Sequence, residues 1–297
     1  MRKNFLLTTL RGHGTLTAMI SATDFLLQSQ NADGGWGYRV NAMSYVEPTS
    51  AVMLALRESN ARARDFLLAH QLVDGGWGIA PMDKESGWMT AWAVRALSAL
   101  SERESVARGV RWLIGNEGVR YTDQTARATV NEISRIDASL RGWSWQPGDA
   151  AWVHPTALAM LALGEAEERT HARVREGVAY LFDRAVPSGG WNVGNPWMLG
   201  KIVPATIQDT AIALLALRAA REPADAAPIA NAIRFLREAL SRMKTSAELA
   251  WAIYALREWK VDVGDAPARL GALQNADGSW QGNPFITAIA MRVTSDG

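Results

Sequence analysis

The stretch from Trp152 to Leu163 reads WVHPTALAMLAL, and close copies of it recur along the chain. When the copies are aligned on a threonine and the Ala-Leu pair that follows it, four are complete and two are weaker. The complete copies are Thr49/Ala55/Leu56, Thr90/Ala96/Leu97, Thr156/Ala162/Leu163 and Thr210/Ala216/Leu217, and the weaker ones begin at Glu248 and Phe285. Six copies of one apolar segment predict six equivalent helices, because repeats at such periods are typical of helical arrays.

A second kind of helix is predicted before each copy. These helices carry charged faces, as in NARARDFLLAH and ANAIRFLREAL, whereas the repeated helices are apolar nearly all round and rich in alanine. A helix that is apolar on every side is expected to be buried on every side. The charged helices are predicted at residues 15–30, 60–71, 104–114, 167–182, 225–241 and 266–274. The alternation predicts an all-α fold, a closed (α/α)6 toroid of six inner and six outer helices.

Length and composition limit the number of domains and the kinds of partner that are expected. The chain has 297 residues, no cysteine, a net charge of +1, 48% hydrophobic and 21% charged residues. These values favour one domain over residues 1–297 and give no electrostatic reason to expect nucleic acid. The N-terminal MRKNFLLTTLRGHG has only a short, interrupted apolar run, and no run in the chain approaches a membrane span, so we expect a cytoplasmic protein.

One segment breaks the repeat. Residues 116–149 separate the third outer helix from its inner partner, and they contain RYTDQTARATVNEIS and the tryptophan-rich GWSWQPGDAAW. We predict an irregular insertion here, and long loops in compact domains usually have a function or cover an interface.

The loops between outer and inner helices carry a common motif. They read NADGGWG, VDGGWG, SGGWNVG and NADGSWQG, and three of them follow a glutamine: Gln30, Gln71 and Gln274. These loops resemble the QW repeat of squalene-hopene and oxidosqualene cyclases, whose α/α barrel is shared with protein prenyltransferase β subunits. The resemblance covers almost the whole chain and implies the toroid fold. It also implies that the motif's residues clamp adjacent helix pairs, so we interpret Trp36, Trp77, Trp191 and Trp280 as structural.

Some catalytic and metal-binding residues of these families are absent from this chain. Class II cyclases start catalysis with an aspartic acid in a D-x-D-D-T-A motif, and the matching stretch here, Thr206 to Ala211, reads TIQDTA. Only its last aspartate, Asp209, is present, and Gln208 stands where the protonating residue would be. The prenyltransferase zinc site requires a cysteine, which this chain lacks, and no aspartate-rich run suits magnesium diphosphate. We expect neither a metal nor a cofactor.

The repeat register predicts which residues line a central cavity. The two positions before each threonine should lie at equivalent heights, and around the ring they are Glu47/Pro48, Trp88/Met89, His154/Pro155, Gln208/Asp209, Ala247/Glu248 and Phe285/Ile286. Titratable groups converging on an apolar cavity are typical of an active site, so we predict Asp209, Glu47 and His154 as catalytic. The alternative is that the acids only cap helix N-termini.

Several aromatic and polar side chains are predicted to contact a substrate. They are Trp88, Trp145, Trp152, Trp197, Gln208, Glu248, Trp251, Phe285 and Tyr45. In a cyclase, aromatic rings of this kind stabilise carbocations through their π faces. The alternative is that they pack the centre of the toroid or the insertion.

The leading functional hypothesis is a terpene cyclase-like or prenyltransferase-like protein that binds a polyisoprenoid or other apolar chain in an aromatic-lined cavity. Its chemistry would be a non-standard acid-base cyclisation or isomerisation. The rival hypothesis is a catalytically inactive toroid that serves as a binding or scaffold module. An α/α-barrel glycosidase fits the paired carboxylates, but the QW-like loops argue against it. The expected partner is a small apolar, isoprenoid-like ligand, and a peripheral membrane contact stays open.

Overall fold

The computed structural model describes residues 20–56 and 60–294 of the chain, and these residues form thirteen helices and two short hairpins. Six outer helices are α1 (Ala22–Gln28), α3 (Ala61–Ala69), α5 (Arg103–Gly115), α8 (Ala172–Asp183), α10 (Ala227–Leu240) and α12 (Ala266–Gly271). Six inner helices are α2 (Val46–Leu56), α4 (Met89–Ser98), α7 (Val153–Glu165), α9 (Ile207–Ala219), α11 (Ser246–Glu258) and α13 (Pro284–Thr294). The remaining helix is α6 (Gln124–Ser134). The hairpins pair β1 (Trp143–Ser144) with β2 (Ala151–Trp152) and β3 (Trp197–Met198) with β4 (Lys201–Ile202).

The inner helices form a closed ring. Each packs against the next in the order α2, α4, α7, α9, α11 and α13, and α13 packs back against α2. Every outer helix packs on this ring, and α5, α10 and α12 each contact two neighbouring inner helices. The predicted (α/α)6 toroid is therefore confirmed.

Burial explains the two helix types. In α7 every residue from Val153 to Leu163 is buried, including His154 and Thr156, because neighbouring inner helices cover both flanks and outer helices cover the back. In α10 only one stripe is buried, formed by Ile229, Ala232, Leu236 and Leu240. Burying a leucine contributes about 1.5–3 kcal/mol, so the apolar inner ring is the main source of stability.

The repeated threonine and the loop tryptophan form one structural unit. In the first repeat the backbone N–H of Trp36 donates to Oγ1 of Thr49 at 2.9 Å, and its indole N–H donates to the carbonyl of Leu26 at 2.7 Å. We call this unit the tryptophan staple, because it ties the outer helix to the following inner helix. The same two bonds are made by Trp77, Trp191 and Trp280 with their own threonines and leucines.

The glutamines of the motif hold the turn and the next outer helix. The side-chain amide of Gln71 donates to the carbonyl of Gly75 at 2.8 Å and to that of Ser105, in α5, at 2.9 Å. Gln30 makes the equivalent pair of bonds to Gly34 and to Asn60, which caps α3. The motif therefore links consecutive repeats.

A fifth staple lies inside the segment that was predicted to be an irregular insertion. Trp143 donates its backbone N–H to Thr156 at 2.9 Å and its indole N–H to Leu113 at 2.7 Å. It stands thirteen residues before its threonine, as Trp36 and Trp77 do, but thirty residues after its leucine instead of ten. The extra residues therefore lie before Trp143, and the repeat resumes there rather than after residue 149.

The insertion itself is not wholly irregular, which corrects the prediction. It contains α6, whose N-cap Asp123 accepts the backbone N–H of Ala126 at 2.9 Å, and which ends at Arg135 in a left-handed conformation. Within α6 only Ser134 is buried, so this helix has no apolar stripe of the width that identifies a helix in sequence.

The staples also explain why one repeat lacks the threonine. The fifth inner helix, α11, follows α10 with no Gly-Trp loop between them, so there is no tryptophan N–H to satisfy. Its N-terminus instead carries a capping box between Thr245 and Glu248. This repeat therefore needs neither the loop tryptophan nor its threonine.

Two predicted helix starts differ from the structure. The first outer helix was predicted from Thr15; residues 15–19 lie outside the described part of the chain, and α1 begins at Ala22 after Ser21, which forms a capping box. The fourth was predicted from Glu167 but begins at Ala172, because His171 caps it. Among the described residues, no helix combines the length and the apolar character needed to cross a bilayer.

Candidate active site at the rim of the inner ring

A cavity of 430 Å³ opens where the inner helices begin, and we call it the rim cavity. It is lined by Glu47, Trp88, Trp145, His154, Thr206, Gln208, Asp209 and Phe285. The helices α2, α4, α7 and α9 each contribute a residue that stands one or two positions before their repeated threonine. Helix α13 contributes Phe285, which stands two positions before Thr287. The volume lies within the range of about 300–1,000 Å³ found for small-molecule sites.

Glu47 is the most unusual group of the rim cavity. It lies in the first turn of α2 with only 7% of its surface exposed, and the hydroxyl of Tyr38 donates a hydrogen bond to Oε2. Burial raises the pKa of Glu47 above its ordinary value, and the Tyr38 hydrogen bond and the nearby His154 oppose this only in part. A carboxyl group that holds its proton above the usual pH range is suited to act as an acid.

Tyr38 and Trp92 complete the surroundings of Glu47. Burial and the adjacent Glu47 raise the pKa of the Tyr38 phenol, so Tyr38 stays a hydrogen-bond donor. The indole N–H of Trp92 is buried without a hydrogen-bond partner of normal geometry, yet it lies close enough to Glu47 to lower the pKa of that carboxyl slightly. One carboxyl oxygen is therefore fixed by Tyr38.

His154 and Asp209 form a pair across the rim cavity. Nδ1 of His154 lies 3.4 Å from Oδ1 of Asp209, and the two side chains are 8% and 15% exposed. Thr206, the N-cap of α9, donates its hydroxyl to Oδ2 of Asp209 at 2.8 Å and accepts the backbone N–H of Asp209. Asp209 is therefore not itself the N-cap, since Thr206 is; its carboxylate accepts the Thr206 hydroxyl and lies beside the histidine.

Aromatic rings form the walls. The indole of Trp145 stacks on the imidazole of His154 with a centroid distance of 5.4 Å, and Trp88 meets both rings edge-on at 4.7 and 5.5 Å. On the other side, Phe285 contacts Tyr38 at 6.1 Å and Trp92 at 5.8 Å. Trp145 is the contribution of the segment 116–149, so that segment supplies one wall of the rim cavity.

The rim cavity has a floor. Below it, Trp92, Trp251 and Ile289 are buried in the middle of the ring, and the void left at the far end measures about 10 Å³. This is about the volume that one water molecule requires. A ligand can therefore enter only from the rim, and Trp92 with Phe285 limits how deep it reaches.

Five residues that the sequence predicted for the substrate lie outside the rim cavity. Glu248 is held by the capping box at the start of α11. Trp251 stacks on Tyr254 near the far end of the ring. Trp152 lines a separate 160 Å³ cavity beneath the insertion, Trp197 lies under the guanidinium of Arg135 at 3.8 Å, and Tyr45 packs on Tyr38 at 5.1 Å. Of these five, only Glu248 was predicted from the repeat register; the other four were predicted from their aromatic character, which does not determine where a side chain lies.

Sequence reasoning missed Tyr38, although a signal was present. Tyr38 stands two residues after the staple tryptophan Trp36, and Trp145 stands two residues after the staple Trp143. Trp145 lines the rim cavity, and Tyr38 donates a hydrogen bond to Glu47, which lines it. The position two residues after the staple is thus directed at the rim in these two repeats, whereas Ile79 and Val193, at the same position of two other repeats, are exposed and do not line the rim cavity.

A larger groove of 700 Å³ lies elsewhere on the surface. It runs between α5 and the C-terminal end of α7 and is lined by charged residues that include Glu102, Arg103, Glu165 and Glu168. Glu165 is eleven residues from His154 along α7, a separation of about 16 Å. The groove thus belongs to the opposite end of the toroid and shares no residue with the rim cavity.

The raised pKa of Glu47 makes a prediction about stability. Because the pKa is higher in the folded than in the unfolded chain, the contribution of Glu47 is fully present below about pH 4.5 and is lost as the pH rises through the folded value. Compared with Glu47→Gln, the wild type should lose unfolding free energy over the range from about pH 4.5 upward, until the pH has passed the raised pKa of Glu47. Urea unfolding across this range measures the difference.

Tyr38→Phe is the informative companion variant. It removes a hydrogen bond that lowers the pKa of Glu47, so the loss of stability should begin at the same pH and extend to higher pH than in the wild type. A constant difference between wild type and Glu47→Gln at all pH values would contradict the assignment of a raised pKa.

The comparisons with known proteins concern the whole chain. No family model and no curated protein matches the sequence. Among solved structures, the chain is similar to a type II terpene cyclase, MstE from Scytonema, in complex with merosterolic acid A as product. The TM-score is 0.63 at 20% identity, with 92% of this chain and 94% of that chain covered.

Two further structures extend the comparison. A variant of the same Scytonema cyclase in complex with geranylgeranyl dihydroxybenzoate as substrate aligns with a TM-score of 0.62 at 18% identity, covering 92% of this chain and 94% of that one. The ent-copalyl diphosphate synthase from Streptomyces platensis aligns with a TM-score of 0.55 at 18% identity over 84% of this chain and 49% of that chain. At these identities the likeness establishes the fold, a terpene cyclase-like α/α toroid.

Proposed function

We propose that this protein binds a polyisoprenoid or similar apolar chain in the rim cavity and cyclises or isomerises it by acid-base chemistry, with Glu47 as the acid. The observation that carries the proposal is a buried carboxyl with a raised pKa at an aromatic-lined cavity. The fold supports it, since the similar Scytonema protein is a type II terpene cyclase with a geranylgeranyl-bearing substrate.

The proposed reaction needs no cofactor. The carboxyl proton of Glu47 adds to one carbon of a trisubstituted double bond, which leaves a tertiary carbocation on the other carbon. In cyclisation a second double bond attacks that cation and forms a ring C–C bond; in isomerisation no ring forms. Loss of a proton from a neighbouring carbon gives the product alkene, so substrate and product have the same composition.

The chain's own residues have distinct tasks in this scheme. Trp88, Trp145 and Phe285 line the cavity and can offer their π faces to the carbocation, an attraction that strengthens when water is excluded. His154, whose Nδ1 lies 3.4 Å from Oδ1 of Asp209, takes the final proton in this scheme. This assignment moves the acid from the D-x-D-D position, where Gln208 cannot protonate an alkene, to the equivalent position of the first repeat.

The direct test is product formation. Purified protein is incubated with farnesol, geranylgeraniol, their diphosphates and a prenylated hydroxybenzoate, and the extracts are analysed by gas or liquid chromatography coupled to mass spectrometry. A product with the mass of its substrate and a different retention time is expected. If every substrate is recovered unchanged, the catalytic part of the proposal fails.

Ligand binding is predicted to depend on an open rim. Gln208 is exposed at the cavity, so Gln208→Trp should fill the mouth without disturbing the core. A ligand at about a hundred times its Kd stabilises the wild type by about 2.7 kcal/mol, and we expect Gln208→Trp to lose most of that stabilisation. Thermal unfolding with and without geranylgeraniol measures it.

Gln124→Trp is the matched control for that experiment. Gln124 is equally exposed, but it begins α6 outside the rim cavity, so the same substitution there should leave the ligand-induced shift unchanged. Equal shifts in both tryptophan variants would place the ligand somewhere other than the rim.

A catalytically inactive binding module is the second candidate. Two observations favour it: Gln208 occupies the position of the usual acid, and the floor formed by Trp92 and Phe285 leaves a shallow cavity. A thermal shift with isoprenoids in the absence of any product would support this candidate over the enzyme.

A further inference from the structure

The rim cavity has an apolar side and a polar side. The inner helices follow one another around the ring in the order α2, α4, α7, α9, α11 and α13, so α2 and α9 face each other across it. Next to Glu47 of α2 the wall is formed by Phe285 of the neighbouring α13. On the α9 side it is formed by Thr206, Gln208 and Asp209. An amphipathic ligand is therefore expected to lie with its hydrocarbon part toward α2 and its polar end toward α9.

The polar side offers a donor and an acceptor to one head group. Gln208 is exposed at the cavity, and within the described part of the chain its side-chain amide makes no hydrogen bond. Asp209 accepts the Thr206 hydroxyl on Oδ2 and lies 3.4 Å from His154 through Oδ1. A carboxylate has about four acceptor positions, so Asp209 can accept a further hydrogen bond. An alcohol hydroxyl both donates and accepts, and it can therefore bind Asp209 and Gln208 at once.

The charges of the rim cavity oppose a diphosphate. The ionisable side chains among the described residues that line it are Glu47, His154 and Asp209, and none of the lining residues is an arginine or a lysine. Phosphate groups are typically held by Arg or Lys through charge-assisted hydrogen bonds. In this cavity a diphosphate would instead lie beside the Asp209 carboxylate, and like charges a few ångströms apart repel each other strongly where water is excluded.

The loops around the rim cavity do not offset this charge. The loops that lead to the inner helices carry both signs, with Arg39, Lys84 and Lys201 as well as Asp33 and Glu85. None of these five side chains lines the cavity. The local charge that a head group meets is therefore set by the acidic lining residues and not by the loops.

The helix starts do not supply an anion site either. The inner helices direct the positive ends of their dipoles at the rim cavity, which in general favours anions. However, Pro48 and Pro155 have no backbone N–H to donate, and the N–H of Phe285 donates to the side chain of Asn283 at 2.9 Å. At the start of α9, the carboxylate of Asp209 already lies in the first turn and complements the dipole there.

We propose that the rim cavity selects isoprenoid alcohols over isoprenoid diphosphates, with the hydroxyl head group bound between Gln208 and Asp209 and the hydrocarbon chain directed toward α2. This inference rests on the function proposed for the site and adds the class of head group. A double bond distant from the hydroxyl then lies nearest to Glu47, on the apolar side.

The test compares the affinities of farnesol and farnesyl diphosphate for the full chain, measured as thermal shifts over a series of ligand concentrations below those at which either ligand aggregates. The wild type should bind farnesol at least about tenfold more tightly than the diphosphate, because only the diphosphate meets a like charge. Raising the sodium chloride concentration from about 0.05 M to about 0.5 M should strengthen the weak diphosphate binding, since salt screens the repulsion.

Gln208→Arg places a guanidinium on the polar side of the cavity at an exposed position. It should raise the affinity for farnesyl diphosphate by about tenfold or more, through paired N–H bonds to phosphate oxygens. Gln124→Arg is the matched control: it changes the charge equally on α6, outside the rim cavity, and should leave both affinities as in the wild type.

Each outcome separates the head group from the chemistry. Wild-type protein that binds the diphosphate more tightly than farnesol overturns the inference, even if product forms. Equal gains in diphosphate affinity from Gln208→Arg and Gln124→Arg overturn it as well, because the head group would then lie away from α9. Selective binding of farnesol without any product supports the inference and rejects only the catalytic part of the proposed function. If neither ligand shifts the unfolding temperature, both fail.

Discussion

Replacing Glu47 with glutamine is expected to lower the rate of product formation by about a hundredfold to ten-thousandfold, the usual contribution of a positioned general acid. Glutamine has nearly the same shape, and its carbonyl oxygen can still accept the hydrogen bond of the Tyr38 hydroxyl. It has no proton to give to a double bond. The substitution therefore removes the acid and leaves the cavity intact.

The measurement is single-turnover product formation with saturating substrate, together with ligand affinity from thermal shifts. The affinity should stay within about threefold of the wild type, because a neutral amide replaces a carboxyl that is itself neutral when protonated. A loss confined to the chemical step would identify an interaction that matters only in the transition state.

Glu248→Gln is the matched control. Glu248 lies one position after Ala247, the equivalent of Glu47 on the fifth inner helix, but its carboxylate accepts hydrogen bonds from Thr245 and lies outside the rim cavity. The rate should not change beyond a small effect of the weakened helix cap on stability. An unchanged rate in Glu47→Gln would reject Glu47 as the acid, and a large loss in Asp209→Asn would then return that role to Asp209.

The repeat register predicted much of this site from sequence. Six copies of one helix in a closed ring must place equivalent positions at one height, so Glu47, His154 and Asp209 could be brought together without any coordinates. The prediction failed for Glu248, since its repeat lost the Gly-Trp loop and a capping box replaced the usual start. Register gives the height of a side chain, whereas the loop before the helix decides whether a cavity is there.

The remaining features of the site depend on distances that a sequence does not contain. The pKa of Glu47 is raised by burial, which results from Tyr38, Trp92 and Phe285 closing around it from three different elements. The floor likewise depends on how far Trp92 reaches across the ring. The composition gives the number of tryptophans, but it does not separate those that staple helices from those that fill the middle of the inner ring.

Trp143 is a staple tryptophan that is found from its spacing to a threonine and not from the loop motif. Its loop reads GWSW and lacks the upstream glutamine, so the motif shared by the other loops does not identify it. Its distance of thirteen residues from Thr156 matches that of Trp36 and Trp77 from their own threonines. Trp191 and Trp280 stand nineteen and seven residues before their threonines, so this spacing finds Trp143 where the motif does not, but it does not replace the motif.

Because the staples hold the ring together, Trp77→Phe is expected to lower the free energy of unfolding by about 2–4 kcal/mol. The indole of Trp77 is fully buried, donates to the carbonyl of Leu67 at 2.8 Å, and packs where any side chain on Gly109 would collide with it. Phenylalanine loses the hydrogen bond and leaves a void between α3, α4 and α5. Protein interiors close such voids only in part.

Trp112→Phe separates the staple from a general effect of losing an indole. Trp112, on α5, also donates its indole N–H, to Asp74 at 3.0 Å, but it is partly exposed and belongs to no staple. The same substitution there should cost about 1 kcal/mol or less, because water can replace the lost partner. Urea unfolding followed by circular dichroism compares the two. Equal losses would mean that the hydrogen-bonded staple adds nothing to ordinary aromatic packing, and the repeat would then be held by its apolar inner faces alone.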